Sequence, residues 1–209
     1  MKKRCVLVGA SSISNYDRAR SYIVKEKDFF IFCDGGLSHK DHLGISPDLI
    51  VGDFDSHNLE SFREETIVLP HVKDDTDSIY AAKEAIARGY DDFLLLGMSG
   101  NRLDHTLANL SLMLMLNKNK RHALLLDDLS EAEIVASGSA LIPDHFPYFS
   151  LMTIDGNAIV SVENALYPLE NFTLKTDYPI GISNEPLPGK TAIVQVLSGK
   201  ILLFRIFDR

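Results

Sequence analysis

The chain has 209 residues, 45% hydrophobic and 24% charged, enough apolar mass for one large or two small domains with a buried core. Its formal net charge is −8 and no basic cluster interrupts it, so phosphate backbones and anionic membrane surfaces are poor partners. The longest apolar run, LSLMLML at 110–116, is far too short to span a bilayer.

The opening MKKRCVLVGASS begins like a signal peptide, but its apolar part stops after a few residues and reads as a first strand. Short apolar runs bounded by turn residues then recur: CVLVGA, FFIFCDGG, DLIVGD, TIVLP, FLLLGMSG and HALLLDD. They are mostly too short for helices and rich in Val, Ile, Leu and Phe, the pattern of strands covered on both faces. Between them, residues 75–88 set Ile79, Ala82 and Ile86 on one helical face, and residues 103–117 do the same with Leu103, Leu107, Leu110 and Leu114. Strands alternating with helices predict an α/β domain with a mostly parallel sheet. Cys5 and Cys33 each fall inside a strand-like run and read as reduced core thiols of a cytosolic protein.

The character changes at DDLSEA, 127–132. Beyond it no segment carries a helical period. AEIVASG, YFSLMTIDG, AIVSVEN, NFTLKTD, TAIVQVLSG and KILLFRIF follow one another, separated by Gly, Asn, Asp and Pro. That spacing predicts a small all-β sandwich or barrel. The boundary is expected at 127–131, dividing an α/β domain at 1–128 from an all-β domain at 129–209.

Four strand exits carry polar residues suited to chemistry. In DLIVGDFDS the side chains of Asp53 and Asp55 point the same way, roughly 6.6 Å apart along the strand. Two like charges on one face ask for a counter-charge, and a divalent cation completed by water and phosphate supplies it; the alternative is an exposed acidic turn capped by Asp55 or Ser56. In KDDTDSIYAAKEA a helix is expected to open near Asp75. Capping needs one aspartate, yet Asp74, Asp75 and Asp77 stand together. In GMSGNRLDHTLAN, Gly97 and Gly100 allow close approach to a phosphate, with Asn101 beside them, and Arg102 offers a fork of donors. Asp104 is open between pairing with Arg102, capping and facing a ligand, and His105 between a structural and a catalytic role. CDGGL, with Asp34, Gly35 and Gly36, is a strand followed by a Gly-Gly turn. All of these fall at the carboxyl edge of the expected sheet, where open α/β sheets bind ligands. Two other motifs fail. GKT at 189–191 has Asn184 where a P-loop needs its first glycine, and no G-x-G-x-x-G follows a strand.

Taken in order, VGDFDS, KDDTDSIYAAKEA, GMSGNRLDHTLANL, ENALYPLENFTL and GISNE resemble the bacterial thiamine pyrophosphokinases along nearly the whole chain. The resemblance implies an α/β ATP- and Mg²⁺-binding catalytic domain followed by a β-sandwich domain that binds thiamine and dimerises. It implies transfer of a pyrophosphoryl group from ATP to the thiamine hydroxyl, with AMP released. Asp53, Asp55 and Asp77 would then hold Mg²⁺, with Asp74 or Asp75 as helper. Arg102 and the turn from Gly97 to Gly100 would face the triphosphate, with Asn101, Asp104 and His105 close by. Asp34, Gly35 and Gly36 would lie on the nucleotide side. Ser183 and Asn184 would contact thiamine in a pocket between the subunits of a cytoplasmic homodimer. Animal and fungal relatives stack a tryptophan on thiamine, and this chain has none, so the stacking residue is unassigned, as is the general base among Asp77, Asp55 and no protein base. Two rivals come from other classes. A haloacid-dehalogenase-like phosphatase would use Asp53 as nucleophile, although His57 stands where that motif wants Thr or Val and no later lysine motif follows. A non-catalytic nucleotide-binding module would bind without turnover.

Overall fold

A computed structural model describes residues 3–53, 65–70 and 74–208; the expectation placed on Asp55 lies outside the described residues. The chain divides into two compact units, Met1–Asp128 and Leu129–Arg209.

In the first unit, β1 (Arg4–Val8), β2 (Phe29–Cys33), β3 (Leu49–Gly52), β4 (Glu65–Val68), β5 (Asp92–Leu96) and β6 (His122–Leu126) are the six strands read from the apolar runs. Every pairing among them is parallel, in the order β4-β3-β2-β1-β5-β6. Cys5–Val8, Leu49–Val51 and Phe93–Leu96 are buried, as continuous apolar strands require when both faces of a sheet are covered. β4 departs from this: it begins the order, and its Val68 is 52% exposed. Short helices α1 (Tyr16–Ser21) and α2 (Lys40–Leu43) and a 3₁₀ turn (Asp34–His39) also form, which the sequence did not announce.

The chain runs outward from β1 to β4, returns through α3 (Asp77–Ala87), and continues with β5 on the other side of β1. The strand order therefore reverses between β1 and β5, which opens a crevice at their carboxyl ends. α3 packs on β1, β2 and β3, and α4 (Leu103–Lys118) on α3 and β6. The buried residues of α3 are Ala81, Ala82 and Ala85, with the larger Ile79 and Ile86 half-buried beside them. Small side chains bring that helix close to the sheet.

α4 corrects the expected face. Leu103 and Leu107 are 74% and 54% exposed, whereas Asn109, Leu112, Met113 and Leu116 are buried. The helix is apolar around most of its girth, so periodicity alone could not choose a side. The choice follows a polar anchor. Asn109 Nδ2 donates to the Met98 carbonyl at 2.7 Å, and Ser78 Oγ donates to Asn109 Oδ1 at 3.0 Å.

The second unit, in its described residues, contains strands and no helix. Its strands are β7 (Ser130–Val135), β8 (Gly138–Ile142), β9 (Tyr148–Met152), β10 (Ala158–Glu163), β11 (Leu169–Leu174), β12 (Ala192–Ser198) and β13 (Ile201–Ile206). They pair antiparallel as β7-β13-β9 and as β11-β10-β12-β8. Both sets feed one core that includes Ile142, Phe149, Val160, Val194 and Leu203. Alternation is visible along β12, where Ala192, Val194 and Val196 face inward and Gln195 and Leu197 outward. β8 is an addition to the expected strands, because GSALI offers only two inward residues, Ala140 and Ile142. Among the described residues no helix is long and apolar enough to cross a membrane.

Candidate functional site

The carboxyl ends of the parallel strands surround a cleft of about 420 Å³. Gly9 to Ser11 enter it from the exit of β1, Asp34 and Gly35 from β2, and Asp53 from β3. Thr76, Asp77 and Ser78 line it at the start of α3, Gly97, Met98, Asn101 and Arg102 between β5 and α4, and His105 and Asn109 along α4. The position is the crevice that the reversal of strand order creates.

Backbone proximity shapes its floor. A Cβ on Gly9 would lie 2.6 Å from the Gly97 carbonyl oxygen, and one on Gly97 would lie 2.6 Å from that of Gly9. Gly97 also has φ +60°, a conformation other residues rarely adopt. The two loops are tied by Gly9 N–H to the Leu96 carbonyl and Ser11 N–H to the Gly97 carbonyl, both at 2.8 Å. Neither glycine carries a side chain, so the two main chains run in close contact beside the cleft.

The acidic residues separate into roles. Thr76, not an aspartate, caps α3, its side chain accepting from the Ile79 N–H at 3.3 Å. Asp77 is the first residue of that helix and lines the cleft together with Asp34 and Asp53. Asp75 pairs with Lys83 at 2.6 Å, and Asp74 is exposed outside the lining. Among the described residues no group of three His, Cys, Asp or Glu side chains is disposed to hold a metal ion by itself. The carboxylates of the cleft nonetheless form an all-oxygen donor set, which suits a hard cation that keeps water and phosphate in its remaining positions. Cys33 also reaches the cleft, and burial pushes its thiol pKa up, with Asp77 and Asp34 adding to the rise. Cys33, 6% exposed, is accordingly read as a packing thiol rather than a nucleophile.

Arg102 lies at the rim with its side chain 69% exposed, and its guanidinium makes a two-point contact with Asp104 at 3.1 and 2.5 Å. That pairing, with the His105 N–H as a further donor, holds the Asp104 carboxyl down to about 2. Asp104 is thus the partner of Arg102 and lies outside the lining. Asn101, at φ +51°, donates from Nδ2 to Ser12 Oγ at 3.3 Å. Gly100, at φ +86°, directs its N–H to Thr106 Oγ1 at 3.1 Å and also lies outside the lining. Gly36 is a packing residue: a Cβ there would come 2.2 Å from the Val8 carbonyl oxygen. A Gly36→Ala variant is accordingly expected to lose about 3 kcal/mol of stability, read as a lower urea midpoint with unchanged slope.

Gly9, Ala10, Ser11, Met98, Ser78 and Asn109 line the cleft without having been picked out from the sequence. VGASS has the same strand-then-glycine form as the other exits and could have been read with them. Asn109 announces itself only as a polar residue on the helical face of Leu112, Met113 and Leu116.

In the second unit the loop containing Ser183 and Asn184 is stitched to β9. Phe149 N–H donates to the Asn184 carbonyl at 2.8 Å, Asn184 N–H to the Phe149 carbonyl at 2.9 Å, and Leu151 N–H to the Gly181 carbonyl at 2.7 Å. Asn184 is only 7% exposed, and its amide is engaged inside the loop. Oδ1 accepts from the N–H groups of Tyr167 and Glu185, while Nδ2 donates to the Tyr167 carbonyl at 2.8 Å. Ser183, held at φ +56° with its N–H on Ser150 Oγ, is exposed.

Comparison with known proteins gives a consistent result. Residues 21–125 match the family described as "Thiamin pyrophosphokinase, catalytic domain", and residues 140–201 match "Thiamin pyrophosphokinase, vitamin B1 binding domain". No curated protein sequence matches the chain. The structure is similar to that of a thiamine pyrophosphokinase from Bacillus subtilis, with a TM-score of 0.85 at 22% identity over 99% of this chain and 100% of that one. A thiamin pyrophosphokinase family protein from Enterococcus faecalis gives 0.80 at 26% identity, again over 99% and 100%. The Candida albicans thiamin pyrophosphokinase gives 0.79 at 15% identity, covering 99% of this chain and 90% of that one.

Proposed function

The chain belongs to the thiamin pyrophosphokinase family, and from that membership we infer that it is a thiamine diphosphokinase, moving the pyrophosphoryl group of ATP onto the thiamine hydroxyl to give thiamine diphosphate and AMP. The observation that carries this reading is the match of a catalytic and a vitamin B1 binding domain, in that order, along a chain of two compact units. On this reading 1–128 is the ATP- and Mg²⁺-binding catalytic domain, and 129–209 is a sandwich that binds thiamine and dimerises.

The cleft at the β1–β5 crevice is read as the ATP site. Pyrophosphoryl transfer asks little covalent chemistry of a protein; it asks for positioning and for neutralisation of the triphosphate. Asp53 and Asp77 of the cleft, with Asp55, would hold Mg²⁺, which when bound draws charge from the phosphate oxygens. The Gly9 and Gly97 turns let main-chain groups approach the phosphates without steric hindrance. Arg102 would exchange its exposed contact with Asp104 for phosphate oxygens, a geometrically equivalent two-point partner. Ser183 would meet thiamine through its exposed hydroxyl, and Asn184 would hold it in place from within the loop. The acidic cleft also suits a cationic thiazolium substrate.

The working form is read as a homodimer with thiamine between subunits. Supporting this, Leu141 and Leu197 point outward from β8 and β12 and are 57% and 46% exposed, large apolar side chains that a second copy would cover. The cytoplasm is the proposed compartment, in keeping with Cys5 and Cys33 as buried free thiols.

Incubation with Mg-ATP and thiamine tests the reading: AMP and thiamine diphosphate should accumulate together. Thiamine-independent release of phosphate, with a trapped aspartyl-phosphate on Asp53, would point to a phosphatase instead. An Arg102→Ala variant should raise the KM for ATP about 10- to 100-fold, the worth of one charge-assisted phosphate contact of about 1.5–3 kcal/mol. Its KM for thiamine should stay near the parent value. Equal loss toward both substrates would make Arg102 a structural partner of Asp104.

A further inference from the structure

Behind the β1-exit loop lies a polar cluster that the transfer chemistry does not use. His39, at the end of the 3₁₀ turn, is only 5% exposed. Its Nε2 lies 3.0 Å from the Ser11 carbonyl oxygen and its Nδ1 lies 2.7 Å from Tyr16 Oη. A carbonyl oxygen can only accept, so Nε2 carries the hydrogen and donates to Ser11. In the neutral ring Nδ1 then accepts, and the Tyr16 hydroxyl donates to it. Burial, with Asp128 adding, raises the Tyr16 pKa and keeps that hydroxyl protonated. One tautomer is selected by its two partners, and the imidazole becomes a strut between α1 and the cleft loop. The ring of His42, from α2, stacks on Tyr16 at a centroid distance of 4.8 Å and closes the cluster.

The loop it supports is fixed at both ends by other means. Gly9 and Ser11 N–H groups bond to the exit of β5, and the Asp128 carboxylate accepts from the N–H groups of Ser14 and Asn15. The Ser11 carbonyl, between those anchors, is held by His39. Its orientation sets the plane of the Ser11–Ser12 peptide, which follows the Ala10 and Ser11 residues that line the cleft.

We propose that His39, oriented by Tyr16, is a positioning residue for the nucleotide: it sets the β1-exit loop in the conformation that receives ATP, without touching the substrate itself. This rests on the reading of the cleft as the ATP site. It also gives the cluster a pH sense. Burial, opposed in part by the Ser11 bond and aided by the nearby His42, lowers the folded-state pKa of His39 below its usual 6.5. Between the two values the unfolded chain binds more protons, so this histidine's contribution to stability is complete above 6.5 and is lost as pH falls from there through its lowered folded value. The groups facing the ring are Tyr16 from α1, His42 from α2 and the Ser11 carbonyl from the loop.

The test is calorimetric titration with Mg-ATP, together with steady-state kinetics, on the parent protein and on His39→Leu, His39→Gln and Tyr16→Phe. Gln keeps an N–H at the reach of Nε2, whereas Leu deletes both strut contacts and Phe deletes the one between the rings. His39→Leu should weaken ATP binding and raise its KM roughly tenfold, the scale of one lost buried hydrogen bond, with the KM for thiamine unchanged. His39→Gln should recover most of that loss, and Tyr16→Phe should fall between. If His39→Leu does not fold, the Gln and Phe variants carry the test. A parent protein that turns over but whose variants bind ATP like the parent, or lose ATP and thiamine alike, overturns the positioning role alone. A parent that binds no Mg-ATP overturns the reading of the cleft and this role with it.

Discussion

Asp53→Asn is expected to abolish turnover while the protein keeps its fold. Asp53 follows β3, whose Leu49–Val51 segment is buried and paired in the sheet, so the strand is held by residues other than the Asp53 carboxylate. The substitution preserves shape and removes one negative charge from a cleft that Asp34 and Asp77 also line. Without metal, that relieves like-charge repulsion and leaves stability unchanged or slightly raised. With Mg-ATP it removes a proposed ligand. The loss in kcat/KM should exceed the roughly 100-fold cost of deleting an outer-shell partner of a metal. Raised Mg²⁺ should restore part of the rate, since a weakened site fills by mass action. The measurement is kcat/KM against Mg²⁺ concentration, with thermal melting as the fold control. Parent rates at limiting Mg²⁺ would remove Asp53 from the ligand set.

The second large effect concerns Asn184 and separates structure from binding inside one loop. Asn184→Ala leaves two N–H groups and one carbonyl without the amide that meets them. With 7% exposure, water replaces little of that. A cost of about 3 kcal/mol follows, the sum expected of a few buried hydrogen bonds, together with a raised KM for thiamine. Ser183→Ala exposes no such groups and should change stability by less than about 0.5 kcal/mol, while still raising the KM for thiamine. Paired urea titrations and thiamine saturation curves on the two variants measure both quantities. A stable Asn184→Ala protein with normal thiamine kinetics would remove the loop from the substrate site.

Much of the fold was open to reading because it rests on local rules. The parallel strands other than β4 are largely buried and show as unbroken apolar runs, and β12 shows its half-burial as alternation. What local rules could not give was the choice of face on α4. Its leucines satisfy more than one stripe, and a buried asparagine bonded to residues 11 and 31 positions away decides between them. The cleft was legible as a set of strand exits, since a polar residue after an apolar run has few structural uses. Its finer assignments depended on distance. Gly36 and Asp104 sit in the same short motifs as the cleft residues, yet one packs against β1 and the other pairs with Arg102. Asp75 likewise turns to Lys83, eight residues on in sequence and invisible as its partner without coordinates. The β1 exit and the Tyr16–His39 strut were missed because each depends on a backbone carbonyl, and carbonyls leave no mark in a sequence.

Transfer of the pyrophosphoryl group as a unit is tested most directly by one single-turnover experiment, with ATP labelled at the β-phosphate, Mg²⁺ and excess thiamine. The label should appear in thiamine diphosphate, with one unlabelled AMP formed for each labelled product. Label retained in ADP, alongside thiamine monophosphate or free phosphate, would contradict it.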